Sequence, residues 1–234
     1  MLLIRELHSV RGEAHAQLEA VYRDRWMTRL AAEPDARLLW YLHQAHGTGP
    51  AYTVVTYTAV TDGAAWERLA ERRRDGDLGD VGEAIDAACH EVDGKVVVPV
   101  IWSPMQNVSL DSVPVDGRIH EPGLYMEDTG WPYSALDEYV RFWDEGYRQR
   151  IEGRPEAERV LDILACFETL HGTGPRPEAI LMQRIRDLER LRTILATPQD
   201  THGATASAYM DEALRHRDRW ESRLLRSAPW SPLS

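Results

Sequence analysis

Apolar positions along this chain recur at two spacings, and the switches between them mark out its elements. Leu2–His8 is a short apolar-rich run with strand character. Leu18, Val21, Tyr22, Met27 and Leu30 then recur at helical spacing, which predicts a helix over Glu13–Leu30, ended by Glu33-Pro34-Asp35. Leu38–Ala45 and Tyr52–Val60 are two further strands, the latter rich in Thr, Val and Tyr. Between them His46–Pro50 is a Gly-rich turn of the kind that needs positive φ. Thr61 or Asp62 caps a helix carrying Trp66 and Leu69, a short helix lies around Val81–Cys89, and Lys95–Trp102 is a fourth strand. The order is strand, helix, strand, strand, helix, strand.

The second half repeats it. Leu124–Asp128 reads as a strand, and Ser134 with Asp137 is spaced as a capping box for a helix over Ala135–Ile151. Val160–Leu170 and Ala179–Ile185 are strands, Leu188-Glu189-Arg190-Leu191 echoes Trp66-Glu67-Arg68-Leu69, and a helix Ala208–Glu221 leads into a last strand ending at Trp230. His-Gly-Thr-Gly-Pro stands at 46–50 and again at 171–175, an offset of 125, and Trp-Ser-Pro at 102–104 and 230–232, an offset of 128. Two echoes in one order at nearly one offset point to a tandem duplication. The halves are 1–105 and 123–234, joined by a linker, 106–122, within a stretch that holds three Pro and two Gly.

The pattern βαββαβ is the ferredoxin-like unit, an α+β arrangement with helices on one face of an antiparallel sheet. Two such units in tandem can cover each other's open faces, giving one α/β barrel with helices outside and a cavity within. Aligning the halves at 125 pairs Leu38 with Ile163, Trp40 with Ala165 and Leu42 with Phe167, an apolar set expected to face the helices. The alternate set pairs Leu39 with Leu164, Tyr41 with Cys166 and His43 with Glu168; it is more polar and is expected to face the cavity. In the first strands an offset of 121 pairs Ile4 with Tyr125, Glu6 with Glu127 and His8 with Thr129, which adds Glu6, Glu127, Tyr125 and His8 to the inward list. Tyr57 is the inward candidate of the third strand. A His and several carboxylates in an enclosed site can do acid–base work, because burial moves carboxyl pKa values toward the working pH.

Composition narrows the class of partner. At 43% hydrophobic and 28% charged residues the chain reads as globular, and a formal charge of −11 disfavours nucleic acid and anionic membranes. No apolar run approaches the ~20 residues of a membrane span, and charge follows within the first five residues, unlike a secretory signal. Cys89 and Cys166 are the two cysteines; they provide no disulfide framework and suit a reducing cytoplasm. The Arg72–Arg74 run, followed by Asp75 and Asp77, reads as a solvated helix end. His43 and His46 lie three apart on a strand and point to opposite faces, a poor metal pair; Cys89-His90-Glu91 is contiguous and its partners are not evident, so no metal is expected. The His-Gly-Thr-Gly-Pro segments lack the Lys of a phosphate loop and read as hairpin turns. Trp26, Trp66 and Trp143 fit helix-to-sheet packing, whereas Trp102 and Trp230 sit at matching strand ends as plugs for the barrel mouths.

Ile4-Arg5-Glu6-Leu7 before a long helix, Gly-Thr-Gly-Pro followed by Val54-Val55-x-Tyr57, and Asp62…Trp66…Arg68 together resemble the NIPSNAP-like branch of the dimeric α/β-barrel superfamily. That family usually builds its barrel from two chains; the duplication leads to the expectation that one chain here supplies both halves. The superfamily includes cofactor-free monooxygenases of antibiotic pathways, isomerases, cyclases, lyases and haem enzymes. The expectation is an enzyme of a biosynthetic pathway, a monomer or homodimer, acting on a small, largely apolar metabolite without a tightly held cofactor. His43 is the first candidate base, with Glu168, Glu127, Glu6 and Tyr41 as acid or orienting groups, and Tyr57, Tyr125, Cys166, Trp102 and Trp230 as substrate walls. The alternative is a non-catalytic barrel that binds a small molecule, or haem with His43 as axial ligand.

Overall fold

The computed structural model describes residues 1–170, 173, 176–196, 209 and 211–234, with the side chains of 107, 194 and 195 set aside. The second His-Gly-Thr-Gly-Pro turn, but for Thr173, and the start expected at Ala208 for the last helix lie outside the described residues. Eight strands occur among the described residues: β1 (Leu2–Val10), β2 (Ala36–Gln44), β3 (Thr53–Val60), β4 (Cys89–Pro99), β5 (Leu124–Trp131), β6 (Leu161–Thr169), β7 (Ala179–Ile185) and β8 (Arg219–Ser227). The chain divides into two compact units. Unit 1 holds Met1–Val98, Asn107–Leu124 and Leu224–Ser234, and unit 2 holds Pro99–Gln106 and Tyr125–Arg223.

In unit 1 the antiparallel order is β4–β1–β3–β2, with Leu225–Ser227 of β8 beside β2. The first long helix covers residues 12–30 and contains a π-helical stretch, Val21–Trp26. With helices Gly63–Asp75 and Gly79–Ala88 it covers one face of the sheet, burying Leu18, Tyr22, Trp26, Leu30, Leu69 and Ile85 against Leu38, Tyr41, Val54 and Val60. Asp62 caps the second of these helices by accepting Ala65 N–H at 2.8 Å. The first His-Gly-Thr-Gly-Pro is a turn: Gly47 takes φ +76°, and Thr48 donates both its N–H and its hydroxyl to Ala45 O.

In unit 2 the order is β5–β7–β6, all antiparallel. The helical run 136–152 packs Tyr139, Val140 and Trp143 on Ile163, Cys166, Ala179 and Leu181. It begins without the expected capping box: Ala135 is the N-cap and makes no side-chain cap, and Ser134 Oγ lies 3.4 Å from His216 Nδ1 instead. The last helix also ends earlier than expected, because Arg219–Glu221 belong to β8. β5 passes close beneath the long helix at Gly130, where a Cβ would sit 2.7 Å from Tyr139 Cε1 and 2.8 Å from its Cζ. Tyr139 is fully buried and has nowhere to retreat. Gly130→Ala is therefore expected to cost about 3 kcal/mol by overpacking, read as a lower denaturant midpoint, and Tyr139→Leu in the same chain should return part of the loss. A wild-type midpoint for Gly130→Ala would contradict this close approach.

Each unit includes the Trp-Ser-Pro segment that the other half of the sequence carries. In unit 1 Ser231 Oγ accepts Tyr41 N–H at 3.0 Å; in unit 2 Ser103 Oγ accepts Cys166 N–H at 3.0 Å. Tyr41 and Cys166 are the residues that the 125-residue offset pairs, so the duplication extends to single hydrogen bonds. No helix among the described residues is long and apolar enough to cross a membrane.

Candidate functional site

The faces of the strands decide where the candidate residues go, and a bulge reverses them. In β2 the register with β3 slips between Leu38 and Trp40, and in β6 the register with β7 slips between Ile163 and Ala165. One extra residue inverts the alternation beyond it. Leu38 and Tyr41 therefore both pack under the helices of unit 1, as Ile163 and Cys166 do in unit 2. Tyr41 and His43 face the helices, contrary to the expectation of a cavity-facing set, and Glu168 shares the face of Cys166 two residues before it. Trp40 turns to the opposite face, where its ring meets Tyr57 edge-on at 5.6 Å.

β1 also presents its polar residues to the helices. Tyr22, on the first long helix, lies with its hydroxyl 3.3 Å from Glu6 Oε2 and 3.1 Å from His8 Nε2. His8 Nε2 is 3.1 Å from Thr56 Oγ1, and its Nδ1 is 3.9 Å from Cys89 Sγ. Arg73 donates to Glu6 Oε1 at 2.9 Å, and its guanidinium lies 6.0 Å from the centre of the Trp26 ring. One proton arrangement satisfies the chain throughout: the Cys89 thiol donates to His8 Nδ1, His8 Nε2–H donates to an oxygen of Thr56 or Tyr22, and the Tyr22 hydroxyl donates to Glu6. Burial lowers His8 to about 4, raises Cys89 to about 11 and raises Tyr22 well above its ordinary 10. At neutral pH the chain is thus a neutral imidazole, a thiol and a phenol behind the Glu6 carboxyl group.

Glu6 opens onto a cavity of about 160 Å³ walled by Ile4, Trp26, Thr58, Trp66, Leu69, Ala70 and Arg73. Two of these wall residues carry buried donors, Thr58 Oγ1 and Trp26 Nε1, with no hydrogen-bond partner among the described residues. A buried donor without a partner costs about 1–3 kcal/mol; both atoms are closed to solvent, so the donor that the cavity wall itself offers is the Arg73 guanidinium.

His43 belongs to a second cluster in unit 1. Its Nδ1 lies 3.1 Å from His15 Nε2 and its Nε2 lies 3.3 Å from Glu19 Oε2. The other Glu19 oxygen accepts the Trp230 indole N–H at 2.8 Å. The His43 hydrogen bond, followed by the indole bond, pulls Glu19 down to about 2, and burial followed by the neighbouring His43 lowers His15. Trp230 is buried and stacks its ring 5.0 Å from Tyr41.

No family model matches the chain, and no curated protein matches its sequence. Solved structures do match. A monooxygenase-like protein from Lactobacillus acidophilus NCFM aligns over 99% of this chain and 97% of its own, at 8% identity and a TM-score of 0.60. An anthrone oxidase-like protein aligns over 97% and 91%, at 9% identity and 0.60. A chlorite dismutase from Candidatus Nitrospira defluvii aligns over 98% and 92%, at 8% identity and 0.54. The fold is ferredoxin-like α+β, in tandem. Structures of NIPSNAP domain proteins are also among the matches, over less than half of this chain: one from Burkholderia xenovorans covers 44% of it at 21% identity and a TM-score of 0.35. At these identities the likeness is one of fold alone.

The ferredoxin-like halves carry different polar groups at matching places. In unit 2 the helix-side carboxylate of β5 is Asp128: it accepts Gln183 Nε2–H at 2.8 Å and the Ser222 hydroxyl, and Gln183 in turn accepts the Tyr147 hydroxyl at 2.7 Å. The counterpart of Glu6 is therefore Asp128. Glu127, paired with Glu6 at an offset of 121, points to the other face, fully buried, with Arg223 Nε 3.9 Å away. Tyr125 lies on that face too, two residues before Glu127, and is fully buried. Trp102 is half-buried and donates to Val140 O at 3.2 Å. Glu168 is half-buried, and burial raises its pKa.

Burial also raises Asp128, from 3.8 to about 6. The unfolded chain gives up that proton first, so the stability contributed by the neutral acid is complete below about pH 4 and is lost as pH rises through about 6. The loss amounts to about 3 kcal/mol at most, at ~1.4 kcal/mol for each tenfold change in proton affinity. Asp128→Asn keeps a neutral side chain of the same shape and is expected to flatten this part of the stability profile, measured by urea unfolding from about pH 4 to about pH 7. Equal slopes in both proteins would assign the loss to another group.

The residues that sequence reasoning missed, Tyr22, Arg73, Thr58, His15 and Glu19, lie on helices or on a strand face that reads as ordinary packing. One local signal existed for the last two: His15 and Glu19 are four apart on a helix, hence on one face.

Proposed function

We propose that unit 1 carries the active site of a small-molecule enzyme that transfers protons without a tightly held cofactor, with Glu6 as its acid–base group. The observation that carries this reading is the Glu6 carboxyl group, held at one oxygen by Arg73 and at the other by Tyr22, in the wall of a cavity whose remaining walls are mostly apolar. At about 160 Å³ the cavity suits a ligand of one ring, since an apolar cavity of about 150 Å³ holds benzene. A carbonyl or phenolic oxygen would accept from the Arg73 guanidinium in the same wall, and Glu6 would remove a proton from the carbon beside it. Negative charge building on that oxygen is stabilised by the same guanidinium. Return of the proton from Glu6 to another position isomerises the substrate, and the Tyr22–His8–Cys89 chain holds the hydrogen-bond pattern of Glu6 through both steps.

A haem does not fit at His43. Its neighbours are the His15 imidazole and the Glu19 carboxylate, polar surroundings where a haem and its axial ligand need an apolar pocket.

The test uses phenol as a binding probe and cyclohexanone as a reacting one. Saturation-transfer NMR is expected to show saturable phenol binding that Ala70→Phe, which fills the cavity, removes. The protein is expected to catalyse exchange of the protons beside the cyclohexanone carbonyl in D2O. Binding that survives Ala70→Phe, or exchange no faster than buffer, would count against the reading.

A further inference from the structure

We propose that His15, Glu19 and His43 form a binding site for a divalent transition-metal ion of the zinc, cobalt and nickel class. It is separate from the cavity at Glu6: no residue is common to the two. One ligand atom from each of the three side chains lies within 4.8 Å of the other two, and among the described residues no further His, Cys or carboxylate joins the group. Ligands about 2.0–2.1 Å from a tetrahedral ion stand a little over 3 Å apart; His15 Nε2 stands 3.1 Å from His43 Nδ1 and Glu19 Oε2 3.3 Å from His43 Nε2, so an ion takes one nitrogen of His43 and draws the third ligand in from within 4.8 Å. Two imidazoles and one carboxylate select a borderline ion over calcium or magnesium, which take oxygen ligands.

The surroundings are those of a built site. The helix His15–Ala20 places His15 and Glu19 one turn apart on one face, opposite His43 on β2. Trp230 holds Glu19 Oε1 with its indole N–H, which orients the carboxylate and leaves Oε2 turned to His43 Nε2. Such an outer partner is what a ligating carboxylate normally has. Tyr41 is fully buried with its ring 5.2 Å from His43, and its hydroxyl has no hydrogen-bond partner among the described residues. Arg226, opposite His43 in the ladder, opposes a cation there, and the Glu19 carboxylate offsets it. His15 and Glu19 are half-exposed, so an ion has an entry path, and three protein ligands leave a position for water or another small ligand, as in catalytic rather than structural zinc sites.

Titration of the chelator-stripped full chain with Co²⁺ tests the proposal. One equivalent is expected to bind with a visible d–d band of low coordination number. His15→Ala and Glu19→Gln, both half-exposed positions, should each weaken binding by more than the about 10- to 100-fold typical of losing an outer partner, and Trp230→Phe should weaken it within that range. His90→Ala, at an exposed position, should leave binding unchanged. Circular dichroism confirms that each variant is folded before titration. Absence of one-equivalent binding in the wild type, equal binding in folded His15→Ala and Glu19→Gln, or competition by Mg²⁺ at equal concentration would overturn the assignment.

Discussion

Glu6→Gln is expected to slow the exchange of cyclohexanone α-protons by about 10²–10⁴-fold, the range usual for loss of a general base, which corresponds to about 3–5 kcal/mol of barrier at ~1.4 kcal/mol per decade. Gln has the shape of Glu and keeps an oxygen for Arg73, so cavity volume is unaltered and the guanidinium stays in its wall. Phenol binding should accordingly stay within a few-fold of wild type. Arg73 loses its charged partner but keeps Asp86 at 3.3 Å and some solvent, which limits the accompanying loss of stability. Tyr22→Phe removes the hydrogen bond to the second oxygen and leaves the base in place, so its effect should be smaller, about 10-fold, at the scale of one neutral hydrogen bond. The pair of measurements separates the base from its support. Exchange that is equally fast in Glu6→Gln would sink the assignment of Glu6, whatever binds in the cavity.

Trp230→Ala is expected to destabilise unit 1 by about 4 kcal/mol, within the ~3–5 kcal/mol usual for deleting a buried Trp or Phe. The ring is 2% exposed, belongs to the main core of unit 1 and stacks on Tyr41. Its indole also holds Glu19. At roughly 2–4 °C per kcal/mol for a chain of this size, unfolding followed by calorimetry should begin about 8–16 °C lower. Trp230→Phe keeps most of the apolar contact and gives up the indole N–H, so about 1–2 kcal/mol is expected. Because the chain has two units, the scan need not be a single two-state transition; the transition that moves should be the one that moves in Leu69→Ala, another core position of unit 1. A shift below about 2 °C for Trp230→Ala would mean that the segment after β8 adds little to that core.

Much of the fold is legible without coordinates. The helix over 12–30, the two strands around the first Gly-rich turn and the capped helix from Gly63 all stand where the apolar spacing puts them. These features depend on neighbours within a few residues, and so does the echo of Trp-Ser-Pro that announces the duplication. The candidate chemistry is legible only in part. Glu6 is recognisable as a polar residue in an apolar strand, and Trp230 as a strand-end aromatic. Tyr22 looks like one more apolar position of a helix, and Arg73 sits inside a basic run that reads as solvated. Both acquire a role through Glu6, 16 and 67 residues away in sequence.

What the sequence by itself determined is therefore the order of elements, their repetition and the places where the halves differ, because propensity and periodicity act locally. The tertiary structure alone decided which way the strands face. A single bulged residue in β2 and another in β6 turn Tyr41, His43 and Cys166 to the helices, and no local pattern marks them. It alone also decided which distant groups meet, His8 with Cys89 and His43 with His15 and Glu19. Those meetings are set by packing of a helix on a sheet, where one turn of helix lies across several strands, and that geometry exists only once the core has formed.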